Sequence, residues 1–377
     1  DGLVKDPNPD AEAFDVLTPK DREHVKNELT VRIGQAVKAM NLNADQELAF
    51  TKLCLSFGDV FAANMGLDKP ARIAPLKVQL RPGVRPLKTK LRPYTPAQTK
   101  FLQETLDEME RMGLVYRNNN ARWVAPVMVV PKPGKPGQFR MVVDLRWINH
   151  CTEPLQYGMP NLDQSLGSAK GAQDFFSGDF LKGFWQVLVD EASQHLFSFM
   201  TPSGVYSPTR LPMGAVDSPL YFQAVLSEVF KDLLREGSLK LWIDDLLGYA
   251  HTFEAYLELL SKIFALCREF NLKLNIEKTC LGDVKAHWCG RDITSTGVKF
   301  EAREAEKFRS MATPRLAGEL GEFLHCLNWM RGCLVRFQEV SAPLWDVFND
   351  AKATLYSILD KAKNKSKGHA MAQKKRK

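Results

Sequence analysis

The chain has 377 residues, 45% apolar and 25% charged, with a formal net charge of +7. That balance argues against a disordered chain, and the length allows two or three domains with real cores. No apolar run approaches the ~20 residues of a bilayer span, and the opening DGLVKDPNPDAEAF lacks a basic or apolar signal-like region, which argues against membrane insertion and secretion.

A first residue of Asp rather than Met suggests a piece of a longer chain or polyprotein. Residues 1–67 read as a helical lead-in, with apolar positions at Leu48, Phe50, Leu53, Leu55 and Phe57. Lys69 to Lys100 then carries nine Lys/Arg and no acid, which suits either a phosphate backbone or a solvated basic face. Thr95 reads as the N-cap of an amphipathic helix with the stripe Leu102, Leu106 and Met109, closed by Gly113. In RWVAPVMVVPKPGKPGQFRMVVDLRWIN, two β-branched runs flank a Pro/Gly/Lys turn, the pattern of a hairpin with a basic tip.

FFSGDFLKGFWQVLVD reads as a strand running into a turn, and SPLYFQAVLSEVFKDLLREG as a helix from after Pro219 to Gly237. LKLWIDDLLGYA reads as strand, two-residue acidic turn, strand. A helix from Phe253 to Phe270 and short strands in LKLNIEKTCLGDVKAHWCGRDIT complete a mixed α+β unit, and the pattern turns helical after Pro314. Lys361 to Lys377 holds eight Lys/Arg and no acid, and so supplies the excess positive charge. This tail suits a flexible basic arm, a nuclear import signal or a merely solubilising end. The seven cysteines (Cys54, Cys151, Cys267, Cys280, Cys289, Cys326, Cys333) never fall in C-x-x-C spacing, so neither a disulfide framework nor a zinc site is indicated, and a reducing compartment fits.

Two adjacent acids, Asp244 and Asp245, interrupt an apolar segment. Ionised carboxylates there need a cation or a turn open to water. A third, Asp179, ends a similar apolar strand. Carboxylates converging from different strands suit Mg²⁺, which takes hard oxygens from one or two carboxylates, phosphate and water. Neither G-x-x-x-x-G-K-[ST] nor G-x-G-x-x-G occurs.

In order, RMVVDLRWIN, GDFLKGFWQ, LPMGAVDSP, WIDD, LKLNIEKT and HWCGRDI resemble the successive motifs of reverse transcriptases of gypsy-type LTR retrotransposons and their retroviral relatives. The resemblance runs from about Asp68 to Asp350. It implies an α+β right-hand polymerase with fingers, a palm of antiparallel sheet plus helices, and a helical thumb. The implied layout is a lead-in at 1–67, fingers and the start of the palm at 68–160, palm with fingers insertion at 161–302, thumb and the start of the connection at 303–350, and a basic tail at 351–377. The implied activity is extension of a primer 3′-OH with dNTPs on RNA or DNA, using two Mg²⁺ ions with Mn²⁺ as a substitute.

The same resemblance implies roles for individual residues. Asp179 and Asp244 would bridge the metals, with Asp245 as an orienting or weaker ligand and Phe180 adding a backbone carbonyl. Phe184 would lie beneath the incoming sugar and exclude a 2′-hydroxyl. Lys132 (or its neighbour Lys135) and Arg140 would clamp the triphosphate. Met213 and Gly214 would face the nascent base pair. Gln186 would support the site or simply pack. Lys278 would protonate the leaving group or stand solvated. His287 to Gly290 would form the primer grip through Trp288, Cys289 and Gly290, with a core role the alternative for Trp288.

Two departures stand out: Trp242 replaces the usual Tyr before x-Asp-Asp, and Asp217-Ser218-Pro219 replaces Asn-Ala-Pro. After Asp350 only 27 residues with one acid remain, too few for the RNase H site that usually follows. Expected partners are an RNA template, a DNA primer/template duplex and dNTPs, with no membrane, and the expected location is a cytoplasmic virus-like particle, the nucleus or both. Two other readings compete. An RNA-dependent RNA polymerase shares the palm logic, but Phe184 and the lack of a Gly before the Asp pair argue against it. A domesticated, non-catalytic nucleic-acid-binding protein is opposed by the three retained aspartates, which without metal would repel phosphate.

Overall fold

The computed structural model describes residues 19–65, 69–87, 89–162, 166–300 and 302–374. The first 18 residues of the lead-in, the boundary at 67/68, Lys88 of the basic segment and Lys375 to Lys377 of the tail lie outside the described residues. The chain divides into two compact units, one of Asp1–Cys289 with Ile293–Gly297, the other of Gly290–Asp292 with Val298–Lys377.

In the first unit, helix Pro19–Ala39 buries Val25, Leu29, Ile33 and Ala36, one stripe at helical spacing. Helix Ala44–Ser56 starts at an Asn43/Gln46 capping box and buries Phe50 and Cys54 one turn apart. The expected apolar series is split: Leu53 and Phe57 are half-buried, whereas Leu48 (69% exposed) and Leu55 (47%) face outward. These lead-in residues belong to the same core as Phe61, Phe176, Phe222 and Phe264, so the lead-in packs as part of this unit.

The strands in chain order are β1 (Phe61–Ala62), β2 (Val115–Arg117), β3 (Val124–Pro131), β4 (Phe139–Val143), β5 (Asp174–Asp179), β6 (Ser198–Thr201), β7 (Gly204–Pro208), β8 (Leu239–Trp242), β9 (Asp245–Ala250), β10 (Leu274–Asn275), β11 (Cys280–Asp283), β12 (Lys285–Trp288), β13 (Arg291–Thr294) and β14 (Gly297–Phe300). A four-stranded antiparallel sheet runs β11-β5-β9-β8. A five-stranded sheet runs β2-β7-β6-β3-β4, with β3 and β6 parallel. β1 and β10 form a short parallel pair.

Helix Phe253–Glu269 begins at the Thr252 N-cap and buries Tyr256, Leu259, Leu260, Ile263, Phe264 and Cys267. It packs on the four-stranded sheet, and the Tyr256 hydroxyl lies between the carbonyls of Phe175 (3.1 Å) and Leu281 (2.5 Å). The five-stranded sheet carries helix Pro96–Arg111, begun by a Thr95/Gln98 capping box and buried through Leu102 and Leu106. The helix expected from Pro219 to Gly237 starts at Ser218, breaks at Phe230 and resumes as Lys231–Glu236, ending on left-handed Gly237.

The second unit is mainly helical, with Ala302–Arg309, Ala317–Trp329 and Phe337–Lys374. Phe300 meets Trp329 edge-on at 4.9 Å, and Trp345 and Phe348 cluster with His325. The segment expected as a separate tail from 351 instead continues this last helix to Lys374.

Candidate active site

β5 ends on Asp179 and β9 begins on Asp245, directly opposite in register. Asp245 is also paired with Trp242 across β8–β9, so the two residues left in the turn are Ile243 and Asp244. This corrects the expected acidic turn: one acid is in the turn and the other opens a strand. The physical reason is Ile243, which takes φ 54 and supplies the positive φ that a tight hairpin needs at its first central position. A β-branched residue there is strained and must be held. Gln223, fully buried on helix Ser218–Val229, accepts the Ile243 N–H at 2.7 Å. The Phe180 N–H donates to the Asp244 carbonyl at 3.1 Å.

The three carboxylates influence one another. Burial first, and then the charges of Asp244 and Asp179, push the Asp245 carboxyl up to about 6, with Lys278 opposing. Asp244 is raised by burial and further by Asp179. Lys278 reaches both Asp179 oxygens at 3.1 Å, so the expected leaving-group acid stands on a carboxylate of the site. Cys289 Sγ lies 3.9 Å from Asp245 Oδ2, bringing the expected primer-grip turn against the acids. That turn has Cys289 at φ 48 and Gly290 at φ 72, the two successive left-handed residues of a tight hairpin turn. Trp288 is buried, as in its core alternative.

Among the described residues no group of three or more His, Cys, Asp or Glu side chains is arranged to hold a metal ion. The donor chemistry still fits Mg²⁺, whose shell takes one or two carboxylates and is completed by substrate oxygens and water. Asp179 and Asp244 are hard oxygen donors, and their mutual repulsion is what a cation would relieve.

Phe184 is half-buried, edge-on to Phe222 at 5.5 Å, while Phe180 is fully buried against the same ring. Gln186 is a structural tie: its Nε2 donates to the carbonyls of Leu181 and Lys273, and its Oε1 accepts the Lys273 N–H. Arg140 sits opposite Val130 in the β3–β4 hairpin, and Lys132 follows the end of β3 at the start of the turn. Both are exposed, and the turn closes with Lys132 N–H donating to Gln138 and Lys135 at its tip.

A cavity of about 310 Å³ gathers Arg140, Trp185, Arg210, Met213 and Gly214, with apolar walls from both neighbouring strands and loop. Lys132 stands apart from it on the turn. Two supporting residues were not foreseen. Asn149 donates to the Gly214 carbonyl and accepts the Val216 N–H, pinning the C-terminal end of the LPMG loop. Asp217, one of the departures, is 2% exposed and accepts the Leu155 N–H at 3.0 Å, and its burial raises its pKa. Asn in the RWIN motif and an acid before the helix are both visible in sequence, but their partners are not. Nothing in the structure explains Trp242 beyond its place opposite Asp245.

Carboxylates gathered at the turn end of an antiparallel sheet, with a second sheet whose hairpin carries cations, match the palm and fingers of a right-hand polymerase fold. Residues 130–294 of the chain match the family model described as reverse transcriptase (RNA-dependent DNA polymerase). Among curated proteins it is 28% identical over 350 residues to the retrovirus-related Pol polyprotein from transposon opus of Drosophila melanogaster, covering 91% of this chain and 34% of that protein. It is 28% identical to the Pol polyprotein from transposon 297 of the same organism, covering 69% and 25%. The chain thus spans between a quarter and about a third of the length of these relatives. Among solved structures, the foamy viral protease-reverse transcriptase in complex with RNA/DNA hybrid superposes with a TM-score of 0.73 at 22% identity, over 87% of this chain and 43% of that one. A second form of that protein, in complex with double-stranded DNA, gives 0.72 at 23% identity, over 87% and 56%. The fold is that of these enzymes.

Proposed function

We propose that the chain is the polymerase portion of a retrotransposon Pol polyprotein, extending a primer 3′-OH with dNTPs on an RNA or DNA template. The observation that carries this reading is the register of Asp179 against Asp245 with Asp244 in the adjoining turn. Two Mg²⁺ ions, or Mn²⁺ in their place, would be held by Asp179 and Asp244 with help from Asp245 and the Phe180 carbonyl. When bound they lower the pKa of the attacking hydroxyl and neutralise the leaving pyrophosphate.

The chain's own residues do the rest. Arg140 and Lys132 donate to triphosphate oxygens from the fingers hairpin. Phe184 fills the space a ribose 2′-hydroxyl would need. Met213 and Gly214 face the nascent base pair on a loop that Asn149 holds. Lys278 gives a proton to the departing pyrophosphate. The Cys289–Gly290 turn positions the primer end, and the helical second unit serves as the thumb. The site of action is a cytoplasmic virus-like particle, the nucleus or both.

Primer extension on an RNA template, with dNTPs or with rNTPs, tests the reading in wild type and Asp244→Asn. Product from dNTPs alone, lost in the variant, is expected. Equal use of rNTPs would remove the role of Phe184. Tight template binding without any extension would make the protein a nucleic-acid-binding module instead.

A further inference from the structure

Lys182 stands three residues beyond Asp179 and takes a left-handed backbone, φ 46 and ψ 49. A non-glycine residue in that region is strained, and the strain persists only where the surroundings fix the backbone. They do so on both sides. The Leu181 N–H donates to the Lys273 carbonyl at 3.0 Å, and the Lys182 carbonyl accepts the Trp185 N–H at 2.8 Å. The next residue must be Gly183, where a Cβ would meet the Phe222 ring at 2.8 Å. A glycine at 182 itself would satisfy the same geometry without strain, yet the chain places a lysine there.

The side chain is exposed, and its ammonium lies over the Trp185 ring, 4.9 Å from the centroid. Trp185 lines the same cavity as Arg140, Met213 and Gly214. Among the described residues no carboxylate lies within ion-pair distance of Lys182 Nζ. An aromatic face restrains a cation without neutralising it, so all three N–H donors stay available to an incoming anion. The charge is thus parked at the edge of the proposed nucleotide site, on the side where the turn leaves Asp179.

Resting on the polymerase reading above, we propose that Lys182 is a specificity-determining residue for the triphosphate, donating from the Trp185 face to the phosphate chain of the incoming nucleotide. It adds a third cation, on a rigid turn of the palm, to the two carried by the fingers hairpin. The hydrogen bonds on either side of residue 182 and the Trp185 ring hold this charge in place.

The test compares wild type with Lys182→Gly, Lys182→Asn and Lys182→Arg in steady-state primer extension, with the KM for dTTP and the KM for inorganic pyrophosphate in the reverse reaction as readouts. Glycine and asparagine both accept the left-handed backbone, so folding is preserved, and Lys182→Gly is expected to melt at or above the wild-type temperature. Loss of a charge-assisted donor predicts about a tenfold rise in both KM values for the Gly and Asn variants, with kcat changed no more than about twofold and Arg restoring most of the effect. Unchanged KM values in an active wild-type background overturn the role of Lys182 and leave the polymerase reading intact. Absence of nucleotide incorporation by the wild type itself overturns both.

Discussion

The palm and fingers sheets treat charge in opposite ways. The palm sheet carries its acids at a strand end and a turn that are half-buried and tied by Gln223 and the Phe180 N–H, so the carboxylates are already crowded before any ligand arrives. The fingers sheet puts Lys132 and Arg140 on a hairpin where both side chains are exposed, and its turn closes through the Lys132 N–H donating to the Gln138 carbonyl. Buried acids depend on the fold around them, whereas exposed bases can be changed with little effect on stability. Under the polymerase reading, the acids proposed to meet a cation are held by the fold, and the hairpin bases proposed to meet a phosphate chain stand at the periphery.

The largest effect that would break this contrast is expected at Asp244. Asp244→Asn should lower kcat on the order of 10³-fold, because metal-type charge stabilisation is worth several kcal/mol. A loss under tenfold in single-turnover extension would place the chemistry elsewhere. Arg140→Ala should raise the dNTP KM by about 10- to 100-fold and leave the melting curve within about 0.5 kcal/mol of wild type. A large stability loss there would mean that the fingers cation is structural after all.

Gln223→Leu sharpens the palm side. It leaves the Ile243 N–H without its buried partner and should cost about 1–3 kcal/mol in denaturant unfolding, with a smaller loss of activity than Asp244→Asn. The smallest effect concerns pH. Folding raises the Asp245 carboxyl from 3.8 to about 6, so the folded state holds that proton more tightly than the unfolded chain. Its contribution to stability is complete below about pH 4 and is lost as pH rises through about 6. Without divalent cations, the melting temperature of wild type should therefore fall over this window relative to Asp245→Asn, and Mg²⁺ should recover it at the upper end. Parallel pH profiles for the two proteins would count against the crowded carboxylate cluster.

Much of this was legible in the sequence, because local chemistry fixed it. Thr95 with Gln98, the Pro/Gly turn between β3 and β4, and the Phe175-Phe176 run leading to Asp179 each point to one local structure. The acids were legible because three carboxylates among apolar residues need an explanation. Which of Asp244 and Asp245 occupies the turn was not, since the register depends on Ile243 tolerating a left-handed backbone, and that depends on Gln223, twenty residues earlier. The clamp by Asn149 on a loop some 65 residues further on was hidden for the same reason. In the lead-in, the apolar positions read as helical are not all buried: Phe50 and Cys54 face the core one turn apart, whereas Leu48 and Leu55, seven residues apart, share the exposed face.

The helices at 19–39 and 44–56 lie far upstream of the segment that matches the reverse transcriptase family model, yet Leu29, Ile33 and Phe50 belong to the same core as Phe176 and Leu246 of the β11-β5-β9-β8 sheet. The smallest piece of this chain that can be excised as a self-standing folded unit is therefore longer than its recognisable motif. A fragment beginning at residue 130 would keep Asp179, Asp244 and Asp245 but lose Phe61, uncovering the Phe264 ring that Phe61 meets edge-on at 5.3 Å, with aggregation as its expected fate.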